Sequence, residues 1–165
     1  MGTALLDYSE EDLSVEYAKL FIGPYELKAP TYGSVYLDGV RRVMGDSTME
    51  VIGIYQEAGL AIDDEFKELP DHIAVELEFL YYLIYKEVEA LEKYGIDQAL
   101  NFIRHQELFL NKFLGQWVLP FCKKIKEGTD NEFYTALADC LLAFIPNSSP
   151  PNCIQDILKE KNRIR

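Results

Sequence analysis

Between Pro70 and Tyr94, Ile73, Leu77, Leu80, Ile84, Val88 and Leu91 recur at spacings of 4, 3, 4, 4 and 3. At 3.6 residues per turn these six side chains form one stripe, so the spacing predicts a long helix with a single buried face. Pro70 is tolerated in a first turn, where its missing N–H loses no intrahelical bond. Gly95 supplies the stop.

The flanking segments carry the same signature. Ser9-Glu10-Glu11-Asp12 combines a capping side chain with acids in a first turn. It predicts a helix to about Phe21, ended by Gly23-Pro24. Residues 24–33 form a Pro/Tyr/Gly loop, and Val35-Tyr36-Leu37 fits a short strand or a helix start. Ser47 or Thr48 is positioned to cap a helix ending at Gly59. Residues 61–69 are acidic and aperiodic and predict a connector. Asp97 can cap a helix from Gln98 to about Leu114, a further piece over Trp117–Lys126 is expected to break or kink near Pro120, and Thr129-Asp130 opens another to about Ile145. Asn147–Asn152, with Pro150-Pro151, is a breaker. Cys153–Arg165 reads as a short helix or a frayed tail with a basic end. The sum is an all-α bundle of six to seven helices with almost no strand.

A chain of 165 residues, 48% of them hydrophobic, has the size and composition of one globular domain. Its net charge is −12, unevenly placed: residues 1–100 carry 7 basic and 21 acidic side chains, and residues 101–165 carry 9 and 7. Nucleic-acid affinity depends on neutralising phosphates with Lys and Arg, so an acidic first part argues against DNA or RNA as a partner, and equally against an anionic membrane surface. It suits a basic peptide, although solubility alone also accounts for it. Cys122, Cys140 and Cys153 are an odd, widely spaced set without a CxxC, which is no disulfide framework and fits a reducing compartment. Cys140, in an apolar run, is expected in the core. The acidic MGTALLDYSEED start does not resemble a signal peptide, and no apolar run approaches a membrane span. The expectation is a cytoplasmic protein without stable membrane insertion.

Catalytic signatures are missing. His72 and His105 are the two histidines, and neither belongs to an HExxH. There is no GxxxxGK followed by Ser or Thr, no GxGxxG and no GxSxG elbow. No enzyme, no metal site and no resident cofactor are expected.

Three segments carry a family resemblance. Glu16-Tyr17-Ala18-Lys19-Leu20-Phe21-Ile22-Gly23-Pro24 resembles "EYxxLFxGP". Ala29-Pro30-Thr31-Tyr32-Gly33-Ser34-Val35-Tyr36-Leu37-Asp38-Gly39 is similar to "PPYxSVYLDG". Leu69-Pro70-Asp71-His72-Ile73-Ala74-Val75-Glu76-Leu77-Glu78-Phe79 is similar to "PDHxxxELEF". In this order, over Glu16–Phe79, they resemble the TorD/DmsD/NarJ family of redox-enzyme maturation chaperones. Phe113-Leu114-Gly115-Gln116-Trp117 is a weaker match to "HLxxW", with Phe113 in place of the His. The sequence also departs from the family in having only fifteen residues before the first motif, where relatives carry more helix.

The resemblance implies a TorD-like single domain over 1–165: an N-terminal helical part (1–60), a hinge (61–72) before the long central helix, and a C-terminal helical part (73–165). It implies binding of the twin-arginine signal peptide, and of the apo form, of a molybdopterin-dependent oxidoreductase, as a monomer or a domain-swapped dimer. Carried over by motif, the peptide-binding residues are Tyr17, Leu20, Phe21, Tyr32, Pro70, Asp71 and His72. Each has a plainer explanation beside it. Asp71 suits a helix N-terminus without any ligand, His72 can bond across the hinge, and Tyr17, Leu20 and Phe21 can be core. Tyr32, in a Pro/Gly loop, is harder to explain by packing. Glu76 is expected to pair with His72 four residues before it, and Trp117 to be core. Two alternatives remain: a NarJ-like assembly factor that grips the catalytic subunit, and a molybdopterin- or guanine-nucleotide-binding protein with Arg41, Arg42 and Lys67 as the available phosphate contacts.

Overall fold

The computed structural model describes residues 7–24, 27–39, 43–63 and 67–147, except for the side chains of 146 and 147. Arg41, Arg42, Cys153 and the Cys153–Arg165 segment lie outside the described residues. Within them the chain forms seven α-helices and a π-helical turn: α1 Glu10–Tyr17, the turn Ala18–Ile22, α2 Ser34–Leu37, α3 Asp46–Glu57, α4 Ile73–Lys93, α5 Ile96–Lys112, α6 Leu114–Gly128 and α7 Glu132–Asn147. The only β pairing among the described residues is a single bridge between Tyr32 and His72.

Local chemistry explains most of the boundaries. Ser9 and Asp12 form a reciprocal capping box at the start of α1. Gly23, at φ 50°, closes the π-helical turn. Asn131 caps α7, its Oδ1 accepting from the N–H groups of Phe133 (3.0 Å) and Tyr134 (3.4 Å). Two expected caps and one expected first-turn residue shift. Gly45 precedes α3, so Ser47 and Thr48 lie inside that helix as buried residues. Gly95, at φ 83°, precedes α5 and puts Asp97 in its first turn. Pro70 sits in the turn before α4 rather than in the helix. The segment around Pro120 is one continuous helix.

The four long helices follow one another through space: α4 packs on α5, α5 on α6 and α6 on α7. Leu20, Val51, Tyr55, Phe79, Leu83, Phe109 and Trp117 belong to one apolar cluster that joins residues from both sides of the 61–72 segment. Burying such a side chain contributes roughly 1.5–3 kcal/mol, and a single shared core ties the short N-terminal elements to the bundle. No helix among the described residues is long and apolar enough to cross a membrane.

The buried face of α4 is rotated from the one the aliphatic spacing predicts: Leu80 of that stripe is buried and Ile73, Leu77 and Ile84 pack half-buried against the core, but the stripe's C-terminal end faces out. Glu76, Phe79, Leu80, Leu83 and Ala90 point inward, whereas Val88 is 48% and Leu91 43% exposed. The inner face includes polar residues that are bonded on arrival. Glu76 meets Trp117, and Glu87 accepts from Gln106 Nε2 at 2.8 Å. Apolar spacing alone misses a face that carries two carboxylates. Cys140 likewise departs from expectation and is exposed on α7, while Cys122 is buried.

Candidate functional site

Two distant stretches, 29–34 and 69–76, meet at the start of α4. The Gly33 N–H donates to Asp71 O and the Ile73 N–H to Thr31 O, both at 2.8 Å. The Asp71 carboxylate is 1% exposed, and its Oδ2 accepts from the Ser34 N–H at 2.8 Å. Asp71 thus serves the first turn of α2, not α4. The α4 cap is His72, whose Nδ1 accepts from the Ala74 N–H at 3.2 Å. Behind this crossing, Glu76 Oε2 accepts from Trp117 Nε1–H at 2.9 Å. The expected Glu76–His72 pairing is replaced by this bond to α6. Gly33 is needed where it stands, because a Cβ there would come 2.9 Å from Trp117 Nε1 and 3.2 Å from Glu76 Oε1.

The electrostatics follow from burial. Loss of water pushes the Glu76 carboxyl up to about 8, and the nearby Asp71 adds to the effect against the lowering bond from Trp117. Burial also raises the Tyr55 hydroxyl, with Glu76 and Asp71 contributing. Desolvation lowers His72, opposed by Glu68 and Asp71. Asp71 Oδ1 and Glu76 Oε1 have no hydrogen-bond partner among the described residues.

Adjoining this crossing through Pro70 is an apolar cleft of about 300 Å³ between the end of α3, the connector and the first turns of α4. Tyr55, Leu60, Ala61, Ile62, Pro70, Val75, Phe79 and Tyr82 line it, with Asp63 and Glu78 at its edge. Tyr55 holds the turn by donating its hydroxyl to Pro70 O at 2.9 Å, and Tyr82 reaches Ala58 O at 3.3 Å. The floor is the top of the core, since the Phe79 ring lies 4.4 Å from Tyr55 and 4.9 Å from Phe109. A concave apolar surface with a few polar groups at its edge is what a ligand site requires.

Of the residues expected from motif, Pro70 lines the cleft. Asp71 is buried beside it and its bonds are internal. Tyr32 and His72 pack ring to ring at 5.3 Å, next to Asp71. Burial, and then Glu68, raise the Tyr32 hydroxyl. Tyr17 is 44% exposed and faces a second concavity with Tyr8, Leu13 and Tyr134. Leu20 is fully buried in the core, and Phe21 packs against Phe121 and Tyr134. Spacing contained a signal for the residues that motif reasoning missed. Val75, Glu78, Phe79 and Tyr82 stand at i, i+3, i+4 and i+7, one helical face. Among the described residues no group of three or more His, Cys, Asp or Glu is gathered to hold a metal.

A family model described as nitrate reductase delta subunit matches residues 2–123. The chain is 31% identical over 134 residues to the chaperone protein TorD of Photobacterium profundum, covering 81% of this chain and 60% of that protein. It is 29% identical over 137 residues to a protein of Haemophilus influenzae named as the Tat proofreading chaperone DmsD, again over 60% of that protein. The chain thus spans about three fifths of the length of these relatives. Among solved structures, a protein of Archaeoglobus fulgidus described as a redox enzyme maturation protein superposes with a TM-score of 0.59. The two are 28% identical, over 87% of this chain and 72% of that one.

Proposed function

This chain belongs to the nitrate reductase delta subunit family, that of the TorD- and DmsD-type redox-enzyme maturation chaperones, and from that premise we propose that it is a cytoplasmic chaperone, without catalytic activity of its own, that binds the twin-arginine signal peptide of a molybdenum-containing oxidoreductase until the enzyme is mature. The observation that carries this is the apolar cleft at the Pro70 turn with carboxylates at its edge. A leader of that kind has a basic start and an apolar stretch. The apolar stretch enters the cleft over Val75, Phe79 and Tyr82, in the manner of a helix laid in a groove. The arginines remain at the edge, near Asp63, Glu68 and Glu78, where partial hydration lets them pair without full desolvation. Tyr32 and His72 extend the surface. Asp71 acts indirectly by holding loop 29–34 against α4, so its removal tests folding more than recognition.

Calorimetric titration of the chain with twin-arginine signal peptides tests this. Micromolar or tighter binding is expected, weakened in Tyr32→Ala without loss of the fold, and absence of heat with every peptide refutes it. A second reading, an assembly factor that grips the folded catalytic subunit, is favoured by the apolar outer face of α4, where Tyr81, Tyr85, Val88 and Leu91 are exposed. Co-purification with a catalytic subunit that lacks its leader separates the two.

A further inference from the structure

A second concavity, of about 490 Å³, opens between α1 and the start of α7 and shares no lining residue with the Pro70 cleft. Tyr8, Glu10, Leu13, Ser14, Tyr17 and Tyr134 line it. Glu10, Leu13, Ser14 and Tyr17 stand at i, i+3, i+4 and i+7 and so form one face of α1. Leu13 packs on the core, but Glu10 and Ser14 are exposed and Tyr17 is 44% exposed. Packing therefore leaves most of this face unexplained.

The rings are set in place by bonds made at their hydroxyls. The Tyr8 hydroxyl accepts from the Glu132 N–H at 3.2 Å, and the Tyr134 hydroxyl donates to Leu13 O at 2.8 Å. Both bonds tie the start of α1 to the start of α7, so what these two tyrosines chiefly offer a ligand is aromatic surface. Tyr17 adds a third ring, linked to Tyr134 through Phe21 at centroid distances of 5.0 and 5.9 Å. Aromatic faces attract cations, and a guanidinium suits them better than an ammonium, because it is planar and less strongly hydrated. The charge of both walls agrees. Residues 7–17 carry five acidic side chains and no basic one, and residues 129–134 carry two and none. Asp12 is committed to the capping box and Glu16 to Lys19 at 2.9 Å, whereas Glu10 stands on the wall of the concavity itself.

We propose that the concavity of Tyr8, Tyr17 and Tyr134 is a guanidinium site, which takes an arginine side chain of a client polypeptide against its rings and the Glu10 carboxylate. It is a contact apart from the Pro70 cleft, and it rests on the leader reading only for the identity of the polypeptide that carries the arginine. Two contacts on one client raise the overall affinity above that of either alone, provided that the chain between them spans the gap. Such a site favours clients with a further arginine at the right separation from the apolar stretch.

The test is a nuclear magnetic resonance titration of the full, isotope-labelled chain with N-acetyl-diarginine amide, and with N-acetyl-dilysine amide for comparison. The diarginine probe is expected to shift the amides of residues 8–17 and 130–134 saturably, and the dilysine probe to bind at least about threefold more weakly. Tyr17→Leu weakens diarginine binding about three- to fivefold, and Tyr17→Leu with Glu10→Gln about tenfold, at an unchanged unfolding midpoint; Tyr17→Phe, which keeps the ring, binds as the natural chain does. No saturable shift in those segments overturns the inference, as do equal affinities for the two probes or undiminished binding by the double variant. Shifts at 8–17 with diarginine, but no binding of any twin-arginine leader peptide, support the guanidinium site and remove the leader reading. Leader binding without a diarginine shift at 8–17 removes the guanidinium site and leaves the leader reading standing.

Discussion

Replacing Glu76 with Gln alters one proton and little else, and its consequence can be worked out from the structure. The Glu76 carboxyl is fully buried, accepts from Trp117 Nε1–H and is held at about 8, against an ordinary value of 4.5. Between those two values the unfolded chain has released a proton that the folded chain still holds. Stability therefore falls as pH rises from 4.5 toward 8, and this group adds no further loss above that. One proton corresponds to a slope approaching about 1.4 kcal/mol per pH unit, and the whole window to on the order of 5 kcal/mol. Gln accepts the same Trp117 bond and does not titrate. The unfolding free energy of Glu76→Gln minus that of the natural chain is thus expected to rise by about 1 kcal/mol per pH unit through the middle of the window. Other titrating groups cancel in the difference. Urea unfolding followed by the emission of Trp117, the sole tryptophan, provides the measurement at several pH values. Parallel stability curves for the two proteins would refute the reasoning, because they require a Glu76 that ionises in the folded state as it does in water.

Three further outcomes are expected. Gly33→Ala pushes a methyl group into Trp117 and Glu76 and lowers stability by about 1–3 kcal/mol in urea unfolding. Trp117→Phe leaves the Glu76 carboxyl buried without its donor and costs about 1–3 kcal/mol, measured by the same unfolding followed by circular dichroism. Brief alkylation of the folded chain, mapped by mass spectrometry, labels exposed Cys140 well before Cys122, which is buried and whose thiol burial pushes up to about 11; equal labelling contradicts the packing of α6.

The helices were legible because their start and stop signals are local: the Ser9/Asp12 capping box and Gly23 both act within one turn. The rotation of α4 was not, because its inner face carries a buried Glu76 and a half-buried Glu87, and their partners Trp117 and Gln106 lie 41 and 19 residues away. No pattern of hydropathy announces a carboxylate that is paid for by a distant indole. The site shows the same division. The motif around Pro70 lies at the turn that borders the cleft, but Asp71 and His72 exchanged the roles expected of them, since the helix that Asp71 serves is reached only through the long-range crossing with Gly33 and Ser34. Tyr55 and Ile62 entered the cleft from α3 and an acidic connector whose sequence carries no periodic signal.

The account stands most directly on whether the leader sits in this cleft. Ile62 is 40% exposed at its mouth and Glu78 lies exposed on its edge, so Ile62→Asp with Glu78→Lys alters the site while sparing the core. Titration of a fluorescent twin-arginine leader peptide should give an affinity at least about tenfold weaker in this double variant, as removal of one buried aliphatic contact alone predicts, at an unchanged midpoint of thermal unfolding. Identical affinities in the two proteins would place the peptide elsewhere on the molecule and contradict the account.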